Sequence, residues 1–517
     1  MAELVGLAVA IPPLIQPIKD SIAALVVLIS AYRQADTHLA HTALKLKTHL
    51  LHVSELTDFA CGSYAAFSDN AKVIFHRLIR VLDGLLADFC DALVGLTDVE
   101  KAWLRKAGFA LRGRGVFKKF DSELLDWERR FNDVVFITVL ASGRKVPALF
   151  TAQATAVQRS PSLTRLLDMI ARTFHESGPL SSSLSSASLC LSPRDISSAG
   201  CTPIDYSSVL YHPHTATSPS YLLETHTLTL ATEADVRGIA SFLSASDPAI
   251  TSLLACRGYS ESTLKYSVPD GYKDPISLRC ALLYGTDART EAAYAKHSLD
   301  ERLALMKRLA SALLWVHVAG HVHKSIRADN IILFGSSTSS TPSSAQTSRQ
   351  DSRERDLESK GFPHVLGTSF LLGFDLSRAD AAATSYTQTA DLQKAYYLHP
   401  DQQGTPDRRY SLRDDVYALG VLFIELALWT LFVRWNSATW ERNRGLVSAS
   451  TRKAPSPEAM RVRFLGFARK EVPRAMGGVV GEVIVACLEG LDDVDEGSGD
   501  GGAYIKKVLE MLDRVSL

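Results

Sequence analysis

The sequence predicts two folding units, an α-helical bundle followed by an α+β domain in which a small mixed lobe precedes a larger helical one. Three observations carry this. From Ile18 to about Phe150 apolar residues recur with a helical period. Between 176 and 220 the chain is serine-rich and poor in clustered large apolar side chains, so it cannot bury enough surface to offset the entropy of ordering. Beyond that stretch, a strand-like alternation gives way to helical stripes. At 517 residues the chain is too long for one ordinary core, and about 150 residues per domain suggests two to four units. The expected boundaries are a helical bundle over 1–150, a Ser-rich linker over 151–204, a small lobe over 205–275, and a large helical lobe over 276–517 with a disordered insertion at 335–360.

Hydrophobic content of 46% and charged content of 22% are those of a globular protein, and 56 Lys+Arg balance 56 Asp+Glu. Nothing in this balance calls for nucleic acid as a partner. The seven cysteines are odd in number, scattered, and never in a Cys-x-x-Cys pair. They favour neither a disulfide framework nor a zinc site, and a reducing, cytoplasmic compartment fits best.

The first thirty residues, "MAELVGLAVAIPPLIQPIKDSIAALVVLIS", are the most apolar stretch, but Glu3 is their only early charge, unlike the basic start of a secretory signal. A spanning helix is expected to fail because Pro12, Pro13, Pro17, Lys19 and Asp20 break the run. The reading is a buried or interfacial helix, with conditional recruitment to a membrane left open. Ile22, Leu25, Val26 and Ile29 share a helical face, as do Ile74, Leu78, Leu82 and Leu85, then Leu124, Trp127, Phe131 and Val134. Gly62, Gly95 and the "RGRG" of 112–115 divide the region into four or five helices of an antiparallel bundle. Residues 101–119, "KAWLRKAGFALRGRGVFKK", set seven basic residues among aromatics without an acid. They read either as a solvated face or as a contact for anionic lipid. His38, His41, His49 and His52 have no carboxylate or cysteine at matching spacing and are expected not to hold metal.

In the α+β part, "YLLETHTLTL" alternates as a strand and "TEADVRGIASFL" follows as an amphipathic helix with Thr232 as N-cap. Leu189 to Leu191 are expected to cling to a neighbour. Ser298 and Glu301 have capping-box spacing ahead of a stripe of Leu299, Leu303, Met306, Ala310 and Leu313 that ends before Gly320. The strands "NIILF" and "SFLLGF" flank the second low-complexity run.

Four segments of this part, "HVHKSIRADNIILF", "LLGFDLSRAD", "YYLHPD" and "YSLRDDVYALGVLFIELALW", follow the order and approximate spacing of a protein kinase's catalytic lobe, which the chain resembles from about 205 to 515. The resemblance implies an α+β, bilobal kinase-like fold with degenerate chemistry. The catalytic-loop pattern His-Arg-Asp-Leu-x-x-x-Asn falls on His323, Lys324, Ser325, Ile326 and Asn330, so an alcohol stands where the family has its base. Arg327 takes the place of the usual lysine and Asn330 keeps a metal-facing amide. The Asp-Phe-Gly motif falls on Gly373, Phe374 and Asp375, which leaves no magnesium ligand at the first position unless Asp375 replaces it. No Gly-x-Gly-x-x-Gly precedes them, and "YLLETHT" lacks the phosphate-binding lysine whose glutamate partner would be Glu224 or Glu233. His323, Phe374, Pro400, Asp401 and Asp415 match scaffold positions of the family.

The bundle, with its apolar "MAELVGLA" start, resembles the HeLo-type domain of fungal prion-inhibition and propagation proteins, and the whole architecture resembles the mixed-lineage kinase domain-like pseudokinases. These likenesses imply a non-enzymatic signalling protein of regulated cell death or incompatibility, with protein partners or self-association through the bundle and contact with anionic membrane. No catalytic residue and no cofactor are required. ATP with magnesium, bound through Asn330 and Asp375, stays open as an alternative. So do an atypical Ser/Thr kinase that recruits Asp329 or Asp375, and an adaptor with an oligomerising bundle.

Overall fold

A computed structural model of the chain divides into two compact units, Met1–Ser177 and Gly178–Leu517. It describes 11–32, 37–64, 69–97 and most of 116–131 in the first, and most of 189–225, 233–260, 263–283, 297–336, 365–379, 392–440, 456–490 and 503–512 in the second.

The first unit is helical wherever it is described. Helices α1 (Ile11–Tyr32), α2 (Thr37–Ser63) and α3 (Asp69–Thr97) are joined by helical turns between 116 and 131. Each buries one stripe at three- and four-residue intervals: Ile15, Ile18, Ile22, Leu25 and Ile29 on α1, and Leu46, Leu50, Val53 and Leu56 on α2. On α3 the buried face is Phe75, Leu78, Ile79, Leu82, Leu86 and Phe89. Leu85 is only half-buried there, because the two phenylalanines turn the face toward the aromatics of 117–131. Phe89 stacks on Phe120 at 3.9 Å, and the Trp127 indole N–H donates to Leu78 O at 2.7 Å. The segment read as a buried or interfacial helix is α1, and its prolines interrupt the apolar run without ending the helix. Pro12 and Pro13 lie in its first turn, where backbone N–H groups have no intrahelical partner, and Pro17 sits on the exposed side. His49 and His52 face carboxylates after all, at 2.9 Å from Asp121 and 2.7 Å from Glu128, but these partners come from 116–131 rather than from α2. Residues 1–10, His38 and His41's surroundings, and 98–115 of the basic stretch lie outside the described residues. Among the described residues no helix is long and apolar enough to cross a membrane.

The second unit mixes helices with antiparallel sheet, an α+β architecture. Strands β1 (Thr202–Pro203), β2 (Val209–His212) and β3 (Tyr221–Thr225) form a meander. Helix α4 (Glu233–Ser244) and the short α5 (Pro248–Thr251) lead to a hairpin of β4 (Cys256–Ser260) and β5 (Thr263–Ser267), giving a five-stranded sheet ordered β1-β2-β3-β5-β4. Then come β6 (Tyr272–Ser277), α6 (Leu278–Leu283), α7 (Leu299–Val318), β7 (His321–Val322), β8 (Ile331–Ser336), β9 (Thr368–Leu371), β10 (Arg378–Ala379), α8 (Leu392–Ala395) and α9 (Leu412–Leu428). A two-residue hairpin, β11 (Trp435–Asn436) and β12 (Thr439–Trp440), precedes α10 (Pro457–Lys470), α11 (Val472–Met476), α12 (Gly478–Glu489) and α13 (Ala503–Leu512).

Two boundaries differ from the sequence reading. The sheet begins at Thr202, inside the expected linker, while Leu189 to Leu191 lie against a neighbour as expected, Leu191 N donating to Tyr259 O. Strand β6 pairs with β8 rather than with the five-stranded sheet, which places 272–275 with the larger part. Strand β8 takes in Gly335 and Ser336, while the rest of the insertion, 337–360, is outside the described residues. The capping box of Ser298 and Glu301 is present, and α7 and α9 are buried nearly all round, as helices at the centre of a core must be. All seven cysteines are free thiols.

Trp127→Ala should lower the stability of the first unit by about 3–5 kcal/mol through cavity formation, read from urea unfolding of Met1–Ser177. A loss under about 1 kcal/mol would contradict the core position given to this indole.

Candidate functional site

Residues 321–330 are fixed from both ends. Helix α7 ends at a turn through Gly320, β7 pairs with β10, and the chain then runs through a 3-10 turn, Ala328–Asn330, into β8. Helix α4 approaches this start closely, with Phe242 stacked on His321 at 6.5 Å.

The anchor of the loop is Asp415, in the first turn of α9. Its fully buried carboxylate accepts from His323 N at 2.7 Å, Lys324 N at 2.9 Å and Tyr410 Oη at 2.8 Å, and lies 3.0 Å from His317 Nε2. Burial alone would raise this carboxyl, but the hydrogen bond and charge of His317, with His323, hold it below its ordinary value. The hold is tight enough to keep Lys324 in the left-handed region at φ 65°, with its ammonium over the Tyr410 ring. Burial pushes His323 down to about 4. The neutral ring rests on Phe374 at 4.7 Å, and its Nδ1 accepts from Ser325 N at 3.2 Å.

Ser325, Asn330 and Gly373 form one closed knot. The Asn330 amide donates from Nδ2 to Ser325 O at 2.7 Å and Ser325 Oγ at 3.0 Å, and Arg327 Nη1 donates to the same hydroxyl. Gly373 has φ 92°, and a Cβ there would stand 2.2 Å from Asn330 Nδ2. The amide of Asn330 therefore occupies the space that any side chain at 373 would need. Asp329 is drawn off in another direction, to Arg279 Nη1 at 3.1 Å and Arg327 Nε at 3.4 Å. Asp375 lies outside the described residues.

Aromatic side chains cluster on the three-stranded sheet and reach one residue of the five-stranded one. Tyr211 of β2 meets Phe334 of β8 at 6.3 Å, and Tyr272 meets Phe334 at 6.1 Å and Phe370 at 5.6 Å. The β1–β2 turn reaches across as well: Ser277 Oγ donates to Asp205 O at 2.6 Å, and the Tyr206 ring lies 5.6 Å from the Arg279 guanidinium. On β3 the buried Glu224 accepts from Tyr266 Oη, on β5, at 2.8 Å. Glu233 opens α4.

Pro400 and Asp401 form a 3-10 turn capped by His399. Exposed Asp401 lies 3.3 Å from Arg408, whose stronger attachment is bidentate, to the buried Asp414 at 2.6 and 2.8 Å. Sequence reasoning missed Arg408 and Asp414, although Ser411 and Asp414 carry capping-box spacing. It also missed Glu425, a lone acid in the apolar run of α9. That carboxyl accepts from Tyr397 Oη at 2.5 Å and Phe432 N at 3.1 Å, and burial pushes it up to about 7. Among the described residues no group of three His, Cys, Asp or Glu side chains is placed to hold a metal.

Two outcomes follow. Gly373→Ala should destabilise the protein by more than about 1 kcal/mol, since it adds both positive-φ strain and a clash. Asn330→Ala in the same chain should return part of that loss in a double-mutant cycle. For Glu425, a folded value of about 7 against an ordinary 4.5 means its stabilising contribution is complete below 4.5 and is lost as pH rises to 7. Glu425→Gln should gain on the unaltered protein across that window in urea midpoint, and a parallel pH profile would refute the assignment.

No protein-family model matches the sequence, and no curated protein matches it.

Proposed function

We propose that the second unit is a bilobal kinase-like scaffold without phosphotransfer, and that it holds or presents the N-terminal helical bundle in a signalling response of the cell-death or incompatibility type. The observation that carries this is the knot of Ser325, Asn330 and Gly373. In a kinase's loop these positions supply the base and two metal ligands. Here a hydroxyl, an amide and a hydrogen-bearing α-carbon are packed on one another. A buried hydroxyl already taken by Arg327 and Asn330 cannot accept a substrate proton. The strand expected to supply a phosphate-binding lysine, β3, offers Glu224 with its carboxylate tied to Tyr266.

Further support comes from the order of elements: meander, helix, hairpin, buried helix, loop, paired strands, central helix. The bundle supplies the surface for protein partners, self-association or anionic membrane, and the basic stretch of 101–119 is the part of it suited to lipid phosphate.

Full-length protein with radiolabelled ATP and magnesium or manganese should label neither itself nor a generic protein substrate, and nucleotide should leave its melting temperature unmoved. Phosphate transfer that disappears in Asn330→Ala would defeat the proposal. Anionic vesicles that stay sealed with the full chain present would remove its membrane arm.

A further inference from the structure

Helix α3 has a second face. Opposite its buried stripe stand Arg77, Arg80 and Val81 on one side of Gly84, and Ala87, Asp88 and Asp91 on the other, all of them exposed. Their intervals from Gly84 are three, four and seven residues in both directions, so they share one stripe of the helix. Val81 keeps 46% of its surface exposed. A Cβ at Gly84 would meet nothing within 4 Å, so the backbone is bare at the middle of the stripe. Glycine is among the poorest helix formers, and inside a 29-residue helix it allows close approach to whatever lies on it. Among the described residues none of the four charged side chains makes a hydrogen bond or ion pair.

The charges are arranged to fit their own reversal. Turned end for end about an axis through Gly84, the stripe sets Arg77 against Asp91, Arg80 against Asp88, Val81 against Ala87 and Gly84 against itself. Each ion pair forms twice, with the small and apolar residues between them, which is the self-complementary pattern a two-fold dimer needs. A parallel pairing in register would set Arg against Arg and Asp against Asp. An anionic bilayer fits poorly too, because Asp88 and Asp91 would be pressed onto the same surface as the arginines.

We infer that this face is the docking surface for a second copy of the chain, the two α3 helices packing antiparallel about Gly84. The inference deepens the reading of the bundle as a self-associating element, and it commits that reading to one face and one direction. A single helix face from each copy falls at the small end of interface sizes, and its exposed pairs are screened by salt, so the dimer is weak and salt-sensitive.

Sedimentation velocity of the full chain over a concentration series tests this. The unaltered protein should pass from monomer to dimer, and salt at about 1 M, where the screening length is about 3 Å, should shift it back toward monomer. Arg80→Asp alone and Asp88→Arg alone should each weaken dimerisation by at least about tenfold, because each sets like charges opposite one another twice. Mixed together, the two variants should pair as the unaltered chain does, since each supplies the charge the other has lost. Only the antiparallel register gives that rescue. Gly84→Leu, at a site with open space around it, should keep the thermal unfolding midpoint and abolish the dimer. A chain that stays monomeric throughout the series overturns the inference, as does a dimer indifferent to both reversals, or a mixture that fails to pair. A monomer that instead binds anionic vesicles, and stops doing so when Arg77→Glu and Arg80→Glu are combined, would overturn it in favour of lipid. Phosphotransfer plays no part in these readouts, so a monomeric chain would leave the kinase-like scaffold reading standing.

Discussion

The second unit depends on one buried anion. Asp415 is fully buried, and its charge is tolerated because two backbone N–H groups, a phenol and an imidazole converge on it. Those donors come from α7, the loop at 323–324 and Tyr410, two residues before α9, so the carboxylate ties together parts of the chain 98 residues apart. Removing it would leave several buried donors unsatisfied, which costs more than the net value of the bonds themselves. Because the anchor grips backbone, it fixes the loop's path whatever side chains follow. Ser325 and Asn330 then face each other by consequence of that path.

That separation between backbone and side chain explains which parts could be read from the residues. The helical stripes of the bundle, the capping box at Ser298 and the strands flanking the second insertion are local patterns, and local patterns survive in a sequence. The Asp415 position was legible because it sits in an ordered set of segments. On α3 Leu78 and Leu82 are buried as expected while Leu85 is half-buried, because aromatic residues from 117–131 set the helix's rotation. Pro17 interrupts the apolar run as expected and leaves the helix whole, since an exposed proline near a helix start removes little that solvent does not supply. Glu425, Arg408 and the aromatic bridge of Tyr211, Tyr272, Phe334 and Phe370 are long-range meetings, and no spacing rule announces them.

The ordering of Leu189 to Leu191 is instructive for another reason. Composition says correctly that a serine-rich stretch has no core of its own, but an edge strand can lend it one through backbone bonds alone. The apolar Leu189 to Leu191 carried the signal in the stretch, and Gly258 in the receiving strand makes room for it. A disorder expectation is therefore a statement about what a segment can do unaided.

Under the scaffold reading, the loss of chemistry and the gain of rigidity are one change. An active phosphotransfer lobe needs a cleft that opens for nucleotide and loops that move over it. Here the first hairpin turn is tied to β6 and α6 through Asp205 and Tyr206, aromatic rings join the two sheets, and Asn330 fills the place of a ligand at 373. Restoring a carboxylate at 325 alone would set it among groups already satisfied by a hydroxyl, and restoring one at 373 would first require Asn330 to leave. Each of these groups is held by its neighbours, so the loop is stable as a structural joint. A joint of this kind suits a unit whose task is to hold another, because force or binding at one edge is carried through packed side chains without being dissipated in a mobile cleft.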